Sequence, residues 1–239
     1  MGLKQSPYDR RDFKYNRLGV APLPPSAMLS GWTVKNQGQY ESCTAFATCT
    51  CAEILMKDVV PFSERFNWYC TRTNEGTFPQ NVGVCLRDAL LQAQKVGLAP
   101  ESLCPYVDPK NTDIVNVPPN SWATSFAKFF KIGEFSRCNT VNDIKSAIVD
   151  GHPVEIGMFV WTEFLSQHQM DVVKPAKYNM VGGHAMTVIG YDEVGLIICN
   201  SWDIYWGYNC LCRLPYDMAS DSNIVFEAWA VTTMARRDA

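Results

Sequence analysis

The sequence predicts an α+β protein built as two lobes. Helical patterns crowd its first half, and short runs rich in β-branched and aromatic residues crowd its second. Alternating βαβ units would interleave the two patterns, and here they are segregated. Size permits the arrangement, since 239 residues suffice for one large domain or two small lobes with a sizeable core.

The elements follow in order. Residues 1–33 are polar and Pro-rich, and "APLPPS" reads as an extended or polyproline-like connector. From Cys43 to about Lys57 there is no Pro or Gly, and Ala45, Ala47, Ala52, Ile54 and Leu55 favour a helix with Ser42 as its N-cap. A second helix is expected over Ser63–Arg72, where Phe66, Trp68, Tyr69 and Cys70 are placed for packing. A third is expected over Val84–Val96, stopped by Gly97. "CPYVDPKNTDIVNVPPN" reads as loop, and Val141–Gly151 as a short amphipathic helix. Then "HPVEIGMFV", "GGHAMTVIGYD", "GLIICNSW", "NCLCRL" and "VFEAWAVTT" read as strands separated by turns. There is no internal repeat and no low-complexity segment.

Composition excludes several classes. With 47% hydrophobic and 19% charged residues, the chain has the balance of a soluble globular protein. A net charge of -3 without a long basic run gives no nucleic-acid surface, and "ARR" near the end reads as a frayed tail. No apolar run approaches the ~20 residues of a membrane span. "MGLKQSPYDRRDFKYN" lacks the pattern of a secretory signal, and no polybasic second signal supports myristoylation at "MG". The expected location is therefore cytoplasmic, in the producing or infected cell. There, ten cysteines are expected to be small buried hydrophobes rather than a disulfide framework.

The stretch "VKNQGQYESCTAFATCTC" holds Cys43, Cys49 and Cys51. On a helix, Cys43 and Cys49 point about 120° apart and Cys49 and Cys51 about 160° apart, so the three do not converge on one ion. "CTC" and "CLC" (Cys210, Cys212) lack knuckle spacing, and residues two apart face away from each other on a helix or a strand. No metal and no cofactor are expected. A reactive thiol fits better at Cys43, because a helix N-terminus supplies positive potential and free N–H groups that favour a thiolate. Cys49 and Cys51 read as packed. Such a nucleophile needs a base. Of three histidines, His152 reads as structural at a turn and His168 as solvated. His184 follows two glycines and opens a strand, and on this ground alone it serves function or packing equally well.

Taken together these fragments resemble the papain-like cysteine peptidases, in particular a bacterial and phage branch without a long propeptide. "QGQYESCTAFA" resembles the nucleophile segment and picks Gln37 and Cys43. "GGHAMTVIGYD" resembles the His segment and picks His184. "GLIICNSWDIYWG" resembles the segment with the orienting Asn and picks Asn200, with Trp202 and Trp206 as its two tryptophans. The resemblance implies a papain-like two-lobed fold: a helical left lobe (about 34–135), an antiparallel β-barrel-like right lobe (about 136–239) and an active site in the cleft between them, forming one catalytic domain. It implies a Cys43 thiolate, His184 as general acid/base, Asn200 orienting His184, and Gln37 with the Cys43 N–H in an oxyanion hole. Asn81, Val82, Gly83, Glu41, Gly183, Trp202 and Trp206 would border the substrate, with Asn81–Gly83 pairing with its backbone and Trp202 shielding the His–Asn contact. The partners implied are a peptide or protein substrate and an inhibitor or a phage or host protein, with the chain itself a monomer.

Departures qualify the match. Tyr40-Glu41-Ser42 replaces Cys-Gly-Ser, Thr44 stands where Trp is common, and Asp203 replaces Gly. Tyr40 removes the family's disulfide at this point. Glu41 either selects basic residues at the cleavage position, narrows the site, or is a solvated loop glutamate. A catalytically silent binding or particle-associated protein is the alternative reading, and thiol–disulfide redox chemistry lacks a CxxC. With no recognisable inhibitory propeptide, residues 1–25 are expected to fold over or along the body and limit access to the groove.

Overall fold

The structure, a computed structural model, describes residues 2–17, 22–57, 60–106, 115–167, 171–174 and 179–236. His168, residues 107–114 of the expected loop, and Arg237 in "ARR" lie outside them.

After a two-residue strand β1 (Ala27–Met28), the chain enters α1 (Cys43–Met56), where every residue through Ile54 is buried. A helix covered on all sides belongs inside the molecule. Lys57, in left-handed conformation, closes it. Ser42 does not cap α1 as expected: its φ and ψ of -105° and 13° are not the extended pair a capping side chain requires. Its hydroxyl instead pairs with the Tyr106 hydroxyl at 2.9 Å. α2 (Glu64–Asn74) is capped by Ser63, which accepts the Phe66 N–H. α3 (Leu86–Lys95) ends before Gly97, whose φ of +105° and approach to the Ala127 carbonyl suit only glycine.

The sequence reading omitted α4 (Ser121–Ala127) and β2 (Phe130–Arg137). Asn120 caps α4 by accepting the Ala123 N–H. β2 hides from a period-two reading because its register against the last strand slips twice between Ile132 and Phe135. α5 (Val141–Val149) starts with a Thr140/Asp143 capping box. Then come β3 (Val154–Trp161), the one-turn α6 (Thr162–Leu165), β4 (Met180–Tyr191), β5 (Gly195–Cys199), β6 (Leu211–Pro215), the one-turn α7 (Tyr216–Ala219) and β7 (Val225–Arg236).

All pairings between these strands are antiparallel, in the order β2-β7-β3-β4-β5-β6, with β1 also on β4. The path is open, with β2 and β6 at its ends, rather than closed as a barrel. One apolar cluster joins Cys43, Cys49 and Cys51 of α1 and Leu90 of α3 to Ala185 of β4 and Trp229 of β7. α1 is thus packed between helices and sheet, and its first residue emerges beside β4.

Residues 2–17 lie along this body. Isolated parallel bridges join Gly2 to Gly183, Lys4 to Cys85 and Lys14 to Arg137. Ser6 N–H donates to Glu227 Oε1 at 3.2 Å, and Arg87 holds Asp9 and Asp12 at 3.0 and 2.6 Å.

Candidate active site

Cys43 is the first residue of α1 and only 2% exposed. The first N–H groups of a helix have no acceptor within it, so positive potential gathers there. The backbone N–H groups of Ala185 and Thr44 face the Cys43 thiol and favour its thiolate. The first contact places the residue after His184 against the sulfur.

His184 lies in β4 opposite Met158 of β3 and is fully buried. Its Nε2 is 2.7 Å from Asn200 Oδ1. Ser201 N–H donates to the same Oδ1 at 2.7 Å, which assigns that atom as the carbonyl oxygen. Nε2 therefore carries the proton in the neutral ring, and Nδ1, buried without a hydrogen-bond partner, is the basic atom. Trp202 stacks on the imidazole with ring centres 4.3 Å apart and planes at 25°. Trp206 stands one layer back: it meets Trp202 edge-on and donates its indole N–H to the Phe164 carbonyl.

Gln37 is also buried. Its Oε1 accepts the Ser201 hydroxyl at 2.7 Å and its Nε2 donates to the Tyr40 carbonyl at 2.8 Å, leaving a second Nε2 proton. Its segment is tied down by Lys35, whose ammonium lies 2.8 Å from Glu53 and 2.5 Å from Glu64. Across the groove, Asn81 Oδ1 accepts the Glu41 N–H at 3.0 Å, and the Val82 carbonyl accepts the Trp68 indole N–H. Gly83 and Gly183 face each other across Gly2 and Leu3: a Cβ at Gly83 would lie 1.7 Å from the Gly2 carbonyl oxygen, and one at Gly183 would lie 2.6 Å from that of Leu3.

Burial pushes the Cys43 thiol up to about 11, with Ala185 N–H opposing and the Glu41 carboxylate adding to it. Burial pushes the His184 imidazole down to about 4, against the support of Asn200. At neutral pH these shifts leave the pair as thiol and neutral imidazole.

The sequence-derived residues Gln37, Cys43, His184, Asn200 and Trp202 thus meet at the contact between α1 and the sheet. Cys49 and Cys51 are packed in the core, and His152 lies half-buried against Tyr15. Sequence reading missed Ser201, which positions both Gln37 and Asn200, although it sits inside the quoted "CNSW". Nor did it single out Leu3. Among the described residues, Glu75, Cys85 and Asp88 gather as metal-type ligands, but Glu75 already serves Lys4 and the Cys85 N–H.

A sequence profile described as the papain family cysteine protease matches residues 29–232. An uncharacterized peptidase C1-like protein of Acanthamoeba polyphaga mimivirus is 29% identical over 217 residues, covering 82% of this chain and 68% of the relative. Among solved structures, xylellain, a cysteine protease from Xylella fastidiosa, superposes with a TM-score of 0.88 at 27% identity, over 97% of this chain and 95% of its own. Digestive procathepsin L 3 of the Tenebrio molitor larval midgut shares the fold with a TM-score of 0.74 at 19% identity, over 91% and 72%.

Proposed function

The chain belongs to the papain family of cysteine proteases and is a peptidase, and we propose that Cys43 is its nucleophile with His184 as general acid and base. His184 Nδ1 takes the thiol proton, the Cys43 thiolate attacks the scissile carbonyl, and the imidazolium then gives its proton to the leaving amine. Water activated by the same ring releases the acyl group. Asn200 holds the ring through Nε2. The spare Nε2 proton of Gln37 and the Cys43 N–H are the donors for the tetrahedral oxyanion. Trp202 shields the His184–Asn200 bond from water. The observation that carries this reading is the tautomer fixed by Asn200, which leaves an unpartnered Nδ1 on the residue before Ala185, whose N–H faces the Cys43 sulfur.

The ten cysteines are free thiols, which suits action in a reducing cytoplasm. Glu41, next to the strip Asn81–Gly83, is placed to favour a basic residue before the cut. Hydrolysis of a quenched peptide library by wild type, Cys43→Ala and His184→Ala tests the assignment. Loss of at least about a thousandfold in both variants is expected, by comparison with other catalytic triads, and more than a tenth of wild-type activity in either removes the residue from its role. Equal preference for Arg, Gln and Glu before the cut in wild type and Glu41→Gln would remove the specificity role of Glu41.

A further inference from the structure

We infer that Cys210 is a positioning residue for the proposed reaction: its sulfur holds two successive peptide units, one aiming the Asn200 amide and the other the Gln37 segment. This rests on the peptidase reading and adds to it a residue that touches neither substrate nor nucleophile.

Residues 200–210 link β5 to β6 and carry Asn200, Ser201 and Trp202. Cys210 closes this loop from its far end. Asn200 N–H donates to the Cys210 carbonyl at 2.9 Å, and Cys210 N–H donates to the Trp206 carbonyl at 2.9 Å. The side chain is fully buried. Among the described residues, Cys199 packs in an apolar cluster with Ile54 and Ile189, and Cys212 in another with Trp206, whereas Cys210 joins neither. What surrounds its sulfur is backbone.

The Cys210 thiol donates to the Asn200 carbonyl oxygen at 3.1 Å, an oxygen that Cys199 Sγ meets at 3.8 Å. That carbonyl and the Ser201 N–H belong to one planar peptide unit, so holding one end sets the other. Ser201 N–H donates to Asn200 Oδ1 at 2.7 Å and so keeps that oxygen turned to His184 Nε2. The Trp202 N–H faces the same sulfur from the next peptide unit, whose other end is the Ser201 carbonyl. Gln37 N–H donates to that carbonyl at 2.9 Å. The Asp203 N–H also faces the sulfur, but it donates to the Lys35 carbonyl at 3.0 Å. One atom thus meets the near ends of two peptide units whose far ends orient the partner of His184 and the segment of Gln37. Burial pushes the thiol up to about 11, so it keeps the proton it donates.

The backbone is strained to place the thiol there. Asn209 and Cys210 both lie in the left-handed region, at φ +51° and +64°. That region disfavours residues with a Cβ, and two in succession persist only where the surrounding contacts hold them. Glycine would fit position 210 with less strain, but it has no group for the Asn200 carbonyl or the Trp202 N–H. Serine keeps one donor and an acceptor at the same place.

The test compares the full chain with Cys210→Ser and Cys210→Gly. One readout is the His184 tautomer, from nitrogen NMR of histidine-labelled protein at pH 7, where only three imidazoles contribute. The other is kcat and KM on one good quenched peptide. Wild type and Cys210→Ser should carry the His184 proton on Nε2 alone. Cys210→Gly should show both tautomers, because a freed peptide unit lets the Asn200 amide turn over. Its kcat should fall about tenfold with KM within about twofold of wild type, and serine should recover most of the loss. A single Nε2 tautomer and unchanged kcat in Cys210→Gly overturn the proposal. So does a serine variant as impaired as the glycine one, since the thiol's volume would then matter and not its hydrogen bonds. If Cys210→Gly does not fold, Cys210→Ala is read by the same two criteria. Mixed tautomers in Cys210→Gly with no peptide cut by any chain, wild type included, support the positioning role and remove the peptidase assignment of Cys43.

Discussion

Asn200 shows how much one side chain settles. Its Oδ1 takes two donors, Ser201 N–H and His184 Nε2, and so fixes the imidazole tautomer from one side of the ring. Gln37 is fixed in the same way, because Ser201 Oγ donates to its oxygen and the Tyr40 carbonyl takes one amide proton, leaving the other spare. On the proposed mechanism, Gln37→Ala removes a donor aimed at developing charge. The expected result is a loss of about 10²–10³ in kcat, about 2.7–4 kcal/mol, with KM nearly unchanged. Steady-state kinetics on one good peptide checks it, and a change confined to KM would place Gln37 in ground-state binding instead. Asn200→Ala frees the ring to turn and should lower kcat by about tenfold or more, with its acidic pH limb moved.

At the scale of elements, α1 is held by charges as well as by apolar packing. Lys35 neutralises Glu53 of α1 and Glu64 of α2 while anchoring the segment that carries Gln37. All three are largely buried, so Lys35→Met strands two carboxyls and should cost about 3–5 kcal/mol in urea unfolding. Glu155 of β3 faces α1 near Thr48 and Cys51, and burial raises its carboxyl well above the usual carboxylate range. The folded chain keeps that proton, whereas the unfolded chain releases it above about pH 4.3. Its contribution to stability is thus fully present below that pH and is lost as pH rises through the folded value. Glu155→Gln should raise Tm by about 3 °C at pH 8 and leave it unchanged at pH 4. A Tm that falls equally at both would mean the side chain's shape, not its proton, matters. α1 was legible because fourteen residues without Gly or Pro leave few alternatives to a helix. β2 was not, because the bulge at Gly133 breaks the alternation that marks a strand.

For the whole molecule, the candidate site was legible as four residues in three quoted motifs, although nothing local in the sequence says that the Cys43 and His184 segments meet. That meeting depends on α1 packing against β4 through Cys51, Ala47 and Ala185, contacts any small apolar residues could make. The seating of residues 2–6 was legible only as a general expectation of cover. Its specificity lies in backbone pairing across Gly83 and Gly183, which leaves no side-chain pattern to read. The match to xylellain extends over 97% of the chain and supports the fold as a whole.

The most direct measurement is competitive alkylation of all ten thiols with substoichiometric iodoacetamide at pH 6, read by peptide mass spectrometry in wild type and His184→Ala. Nine of the ten are buried and only Cys70 is partly open. The account predicts that Cys43 reacts first despite its burial, and that His184→Ala abolishes the preference. If Cys70 leads in wild type, exposure alone ranks the thiols, and Cys43 is no poised nucleophile.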